Sequence, residues 1–128
     1  MEKRILVVDD NYANLKLASD LCACEGYVVD RAESAEAALL AIAENIPDLI
    51  LMDLALPGID GVELTRYLRG QAATRETPVV ALTAFAMRRD EERALEAGCD
   101  AYVVKPIDTR ALPALLAELL ARRPTSTP

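Results

Sequence analysis

The sequence predicts an α/β domain: a doubly wound sheet of five parallel strands with five helices packed on its two faces. Strand-like and helix-like segments alternate five times along 128 residues, joined by connections of a few residues. Such an alternation winds in essentially one right-handed way. Four of the apolar runs, Ile5–Val8, Leu49–Met52, Val79–Leu82 and Tyr102–Val104, are unbroken rather than alternating. An unbroken run reads as a parallel strand buried on both faces.

Each element has a local reason. After the first strand, Asp10-Asn11 can cap a helix from about Ala13 to Glu25. Its inward stripe would be Leu15, Leu17, Ala18, Leu21 and Cys22, and Gly26 would end it. A second strand is expected near Tyr27–Arg31, then a helix started by Ser34, three residues before Ala37, and ended near Glu44 ahead of Pro47. The third strand follows directly. Pro57-Gly58 signals a turn before a helix from about Gly61 to Arg69 and a polar loop over Gln71–Thr77. The fourth strand is expected from Pro78, and an amphipathic helix over Ala86–Ala97 is stopped by Gly98. A fifth strand then runs to Val104, and Asp108 caps a last helix to about Ala121. The domain would therefore occupy residues 1–121, with 122–128 a disordered tail. No internal repeat or linker interrupts it.

An apolar fraction of 52% supplies a core without disulfide or metal staples. The net charge of −7 and the lack of a basic cluster argue against direct binding to nucleic acid. No stretch is long enough for a membrane span, and Met1-Glu2-Lys3-Arg4 leads straight into a strand, so a cytoplasmic protein is expected. Cys22 and Cys24 point about 200° apart on a helix and cannot share a metal. With Cys99 they read as buried free thiols. The chain has no histidine, which excludes a histidine triad, a histidine metal site and a phosphohistidine of its own.

The chemistry is written at the strand ends. Asp9-Asp10, Asp53, Thr83 and Lys105 each follow an apolar run, and ligands of such sheets bind at the carboxyl ends, where strand order reverses. Asp9-Asp10 alone would fit helix capping. Asp53, at the end of what should be the central strand, is costly to desolvate unless it is paired or bound to a cation. Converging carboxylates repel, and Mg²⁺ suits them because it takes oxygen ligands and is held by one or two carboxylates together with phosphate oxygens. Lys105 supplies the complementary charge, and either isomer of Lys105-Pro106 fits the sequence. Thr83 either ends a strand or donates to a phosphoryl oxygen. One carboxylate is left to act as nucleophile.

These residues give the chain its resemblance to the receiver domain of two-component response regulators, of the CheY-like, flavodoxin-like fold, over roughly residues 3 to 121. The matching motifs are Ile5-Leu6-Val7-Val8-Asp9-Asp10, Leu49-Ile50-Leu51-Met52-Asp53 with Pro57-Gly58 and Asp60-Gly61, Thr83-Ala84, and Lys105-Pro106. The resemblance implies strand order 2-1-3-4-5 and Asp53 as phosphoacceptor. It implies Mg²⁺ held by Asp9, Asp10, Asp53 and the Ala55 backbone carbonyl, with Lys105 gripping the phosphoryl group. Thr83 and Tyr102 would be the switch pair, although Tyr102 also reads as a half-buried strand aromatic. Thr83-Ala84-Phe85-Ala86-Met87, Asp90-Glu91-Glu92-Arg93 and Gly98-Cys99-Asp100-Ala101-Tyr102 resemble the DivK-like single-domain regulators.

The implied function is transfer of a phosphoryl group from a partner phosphohistidine, on a sensor histidine kinase or histidine phosphotransfer protein, to Asp53. Output would pass to a protein partner through the face of the fourth helix, fifth strand and fifth helix, with phosphorylation-dependent pairing of two copies as an alternative. The chain would catalyse only its own phosphorylation and a slow loss of the group. The loss would be slow, because the resemblance makes Ala55 and Phe85 the tuning positions and neither side chain can hydrogen-bond an attacking water. Rival readings are a receiver cut from a hybrid kinase or effector-bearing regulator, a constitutive receiver that is not phosphorylated, and a small Mg²⁺-dependent phosphohydrolase. The last lacks a second acid after Asp53-Leu54-Ala55. A flavin or nucleotide module of the same winding would need a glycine-rich loop where Asp9-Asp10-Asn11 stands.

Overall fold

Alternate residues of the central strands feed two separate cores, which is why their sequences run apolar without a break. A computed structural model describes residues 2–56, 58, 60–83 and 88–122. In chain order the elements are β1 (Arg4–Val8), α1 (Tyr12–Cys24), β2 (Val28–Ala32), α2 (Ala35–Glu44), β3 (Leu49–Asp53), α3 (Gly61–Arg69), β4 (Val79–Thr83), α4 (Arg88–Ala97), β5 (Ala101–Val104) and α5 (Ala111–Arg122). Leu6, Val8, Ile50, Met52, Val79 and Ala81 pack beneath α2, α3 and α4. Ile5, Val7, Leu49, Leu51, Val80 and Leu82 turn the other way, onto α1 and α5. Each such Val, Leu, Ile or Met side chain taken fully from water contributes about 1.5–3 kcal/mol, which fixes the register, because a one-residue slip would exchange the two faces.

All pairings are parallel and the strand order is β2-β1-β3-β4-β5. From β1 the chain goes to β2 on one side and returns to β3 on the other, so the reversal of winding lies between β1 and β3. The helix starts follow the capping residues: Asn11 Oδ1 accepts from the Asn14 amide, Ser34 Oγ from Ala37 and Asp60 Oδ1 from Glu63. Asp108 Oδ1 accepts from Arg110 and Ala111. Gly26 and Gly98, after α1 and α4, take φ of +91° and +111°, a region that favours glycine.

Some expectations need correction. β2 is shifted by one residue, since the Tyr27 amide closes the end of α1 on the Cys22 carbonyl. β4 starts at Val79, although the Pro78 carbonyl already accepts from Ile50. Leu17 is exposed rather than inward; Ser19 takes the core side instead, its hydroxyl donating to the Leu15 carbonyl. Of the three thiols Cys24 is exposed, while Cys22 and Cys99 are buried, and all are free. β5 is not buried on both faces: as an edge strand it keeps Ala101, Tyr102 and Val103 half-buried and Val104 exposed. Pro57 of the expected turn, Ala84 and Phe85 of the motif after the fourth strand, Ala86 and Met87 at the expected start of the fourth helix, and residues 123–128 of the expected tail lie outside the described residues. Among the described residues, no helix is long and apolar enough to cross a membrane.

Candidate functional site

The polar residues that follow the apolar runs gather at the carboxyl edge of the sheet, at the β1/β3 reversal and beside it. Asp9 leaves β1, Asp53 is the last residue of β3, Thr83 the last of β4, and Lys105 follows β5. Carboxylate oxygens of Asp9, Asp10 and Asp53 all lie within 4.8 Å of one another. Asp9 and Asp53 are buried and Asp10 is exposed, which gives the cluster one open side.

Each buried acid is held by an amide two residues on. Asp9 Oδ1 accepts from the Asn11 N–H at 2.8 Å, and Asp53 Oδ1 from the Ala55 N–H at 3.0 Å. Both are Asx-turns, which fold the chain back as each strand ends and leave the second carboxylate oxygen free to face the cleft. These two amides are not among the residues expected from the sequence, although an aspartate at a strand end, two residues before an available N–H, is a signal for them.

The second oxygens meet Lys105, whose Nζ donates to Asp9 Oδ2 at 2.9 Å and to Asp53 Oδ2 at 3.2 Å. Its backbone is pinned as well, the Lys105 N–H donating to the Thr83 carbonyl at 2.7 Å. The Lys105–Pro106 bond is cis. Burial pushes the Asp9 carboxyl above its ordinary value; the Asn11 amide and Lys105 pull it down without offsetting that, and the Asp53 charge raises it further. Burial also works against the Lys105 ammonium, yet its bond to Asp9 and the charges of Asp53 and Asp9 carry it above the usual lysine value.

Among the described residues, the Lys105 ammonium pairs with two of the three clustered carboxylates, and its single charge does not balance all three. A hard divalent cation fits that donor set: among the described residues the clustered ligand atoms are carboxylate oxygens, one of them on an exposed residue, with no sulfur or imidazole ligand.

Thr83 is brought to the same edge. Its neighbour Leu82 is the Cα partner of Asp53, and its side chain is buried. Tyr102 lies elsewhere, mid-strand opposite Ala81, half-buried against the core beneath α2, α3 and α4. Ala55 is exposed next to the cluster, and Phe85 lies outside the described residues.

A sheet in this order, with acids at its reversal and a lysine reaching them from β5, defines a receiver. The family model for the response regulator receiver domain matches residues 5–117, and the chain belongs to that family. It is similar to the polar-differentiation response regulator DivK of Brucella ovis, being 47% identical over 107 residues that span 84% of this chain and 87% of that protein. Among solved structures it resembles a CheY-like response regulator receiver domain protein from Methanospirillum hungatei JF-1, with a TM-score of 0.88 and 32% identity, covering 96% of this chain and 97% of that one. It also resembles the receiver domain of a sensor histidine kinase from Pseudomonas aeruginosa PAO1, which has a magnesium ion coordinated in its active-site cleft. That match has a TM-score of 0.86 and 33% identity, covering 94% of this chain and 99% of that one.

Proposed function

We propose that this DivK-like receiver takes a phosphoryl group from a phosphohistidine on a sensor histidine kinase or histidine phosphotransfer protein onto Asp53. The observation that carries the reading is the contact of the Lys105 ammonium with both Asp9 and Asp53 inside a cluster of three carboxylates. That is two more acids than its single charge can balance.

Asp9, Asp10, Asp53 and the Ala55 backbone carbonyl would hold Mg²⁺. Bound there, the ion would neutralise negative charge on phosphoryl oxygens. An Asp53 carboxylate oxygen forms the new bond to phosphorus as the bond from phosphorus to the partner's imidazole nitrogen breaks, giving an acyl phosphate. The Ala55 amide steadies the other Asp53 oxygen. Lys105, already at 3.2 Å from Asp53, shifts its donors to the incoming phosphoryl oxygens.

Thr83 then turns its hydroxyl to the new oxygens, and Tyr102 follows inward. Because Tyr102 packs against the same core as Ala94 of α4, that movement changes the α4–β5–α5 face, through which a downstream protein or a second copy is engaged. The acyl phosphate is lost slowly, since neither Ala55 nor Phe85 can orient a water. Residues 1–121 form the functional unit, which works in the cytoplasm without direct contact with nucleic acid or membrane, and it acts on no substrate but itself.

The test is phosphorylation of wild type and Asp53→Asn side by side from a phosphohistidine donor. Wild type should take a label stable in neither acid nor base, and Asp53→Asn none. Equal, acid-stable labelling of both would overturn the reading.

A further inference from the structure

The first residue of α3 touches the backbone of the acceptor itself. A Cβ built on Gly61 would stand 2.7 Å from the Asp53 carbonyl oxygen and 2.9 Å from the Leu54 Cα, closer than real contacts allow. A third neighbour, Leu54 Cδ2 at 3.2 Å, belongs to a flexible side chain, but the first two are backbone and cannot swing aside. Gly61 does not have a positive φ, so the requirement is for space and not for an unusual backbone angle. The approach is held from both sides. The Gly61 N–H donates to the Leu54 carbonyl at 3.1 Å, and the Gly61 carbonyl accepts from the Thr65 hydroxyl at 2.8 Å. Asp60, one residue earlier, caps the helix on the Glu63 amide.

Between the acceptor and α3 the chain runs through residues 54–60, and it comes back onto its own starting point at Gly61. The end of β3 is therefore fixed by the sheet on one side and by the helix start on the other. We infer that Gly61 is a positioning residue for phosphoryl transfer: its missing side chain lets α3 seat against Asp53 and Leu54, and so sets where the Asp53 carboxylate and the Ala55 carbonyl stand in the cleft. This deepens the reading of Asp53 as acceptor and rests on it. A methyl group at position 61 must move either α3 or the backbone of residues 53–55. The helix is anchored by buried Val62, Leu64, Thr65 and Leu68 and β3 by the sheet, so the displacement falls where the strand ends, on half-buried Leu54 and exposed Ala55 beside Asp53.

The experiment compares wild type, Gly61→Ala and Gly70→Ala. Gly70, just past the other end of the same helix, would bring a Cβ no closer than 3.4 Å to its nearest neighbour, the Tyr67 carbonyl oxygen, which is ordinary van der Waals contact, and serves as the control. Each protein is phosphorylated with a small acyl phosphate at saturating Mg²⁺, and amide shifts are followed by NMR as Mg²⁺ is added. Gly61→Ala should remain folded but take label at least about tenfold more slowly, since sub-ångström misplacement of a reacting group is enough for such losses. Its residue 53–55 amides should be shifted before Mg²⁺ is added. Gly70→Ala should label at the wild-type rate. A folded Gly61→Ala protein with wild-type labelling and Mg²⁺ response overturns the inference, leaving the acceptor reading intact. Wild type that takes no label on Asp53 overturns both. Should the variant not fold, the wild-type titration decides: the Gly61 amide should shift in step with Leu54 and Ala55, and a static Gly61 beside a moving Ala55 overturns the inference.

Discussion

Lys105 Nζ stands 3.2 Å from Asp53 Oδ2, although 52 positions of chain separate the two residues. The contact crosses from the edge strand β5 over the end of β4 to β3, and it is made possible by the Lys105 amide's bond to the Thr83 carbonyl. The lysine side chain is 13% exposed and its other partner, Asp9, 1% exposed, so screening by water is weak.

Lys105→Met should therefore destabilise the metal-free protein by about 3 kcal/mol, because it leaves buried carboxylates without their counter-charge. Urea unfolding in the presence of a chelator would measure this. An unchanged midpoint would contradict the ion-pair argument, and labelling at Asp53 should fall sharply in the same variant.

Asp10→Asn should act in the opposite direction. Removing one of three mutually repelling carboxylates stabilises the metal-free fold by roughly 0.5–1.5 kcal/mol, as is common where a site is kept for function at a cost in stability. The same variant should gain less melting temperature than wild type when Mg²⁺ is added, since less ligand binding is available to favour the folded state. Equal Mg²⁺-induced shifts in the two proteins would remove Asp10 from the cation site.

Arg69 binds together the amino edge of the sheet. Its guanidinium donates to the carbonyls of Gly98, Thr74 and Thr77 and to Asp100, whose carboxylate also accepts from the Val79 amide. Lysine cannot reproduce that fork, so Arg69→Lys should cost about 2 kcal/mol or more. Because these contacts lie before β4 and β5, at the end of the sheet away from the acids, the rate of labelling at Asp53 should be unchanged. Equilibrium unfolding with a labelling assay on the same samples checks both halves.

The thiols divide by burial. Exposed Cys24 should react with an alkylating reagent in the folded protein, and Cys22 and Cys99 only after unfolding. Burial pushes the Cys22 thiol from 9.0 up to about 11. The folded chain keeps that proton to higher pH than the unfolded chain does. Stability should thus decline as pH rises from 9.0 toward about 11 and level off beyond, a loss of about 2–3 kcal/mol that Cys22→Ala should lack. Parallel melts across that range would show it as a difference in slope.

Ala55→Asn should shorten the life of the acyl phosphate several-fold, by placing an amide where a water can be oriented beside Asp53. Decay of label in Mg²⁺ buffer measures it. A wild-type lifetime of only seconds would contradict the slow loss expected from Ala55 and Phe85.

The sequence by itself determined the alternation of elements, because unbroken apolar runs and capping residues such as Asn11, Ser34, Asp60 and Asp108 are local signals. It also determined which polar residues would share a cleft, since the carboxyl ends of parallel strands must lie on one edge. Tertiary structure alone decided what depends on distance between remote segments: the bridging of Asp9 and Asp53 by Lys105, the seating of Gly61 on the Asp53 backbone, and the four backbone and side-chain partners of Arg69. It likewise decided the exposure of Leu17, Cys24 and Val104, because a residue's apolar character does not say whether its neighbours will cover it. Local pattern fixes direction and period along the chain, whereas contact is a property of packed elements and exists only once the sheet and its helices are assembled.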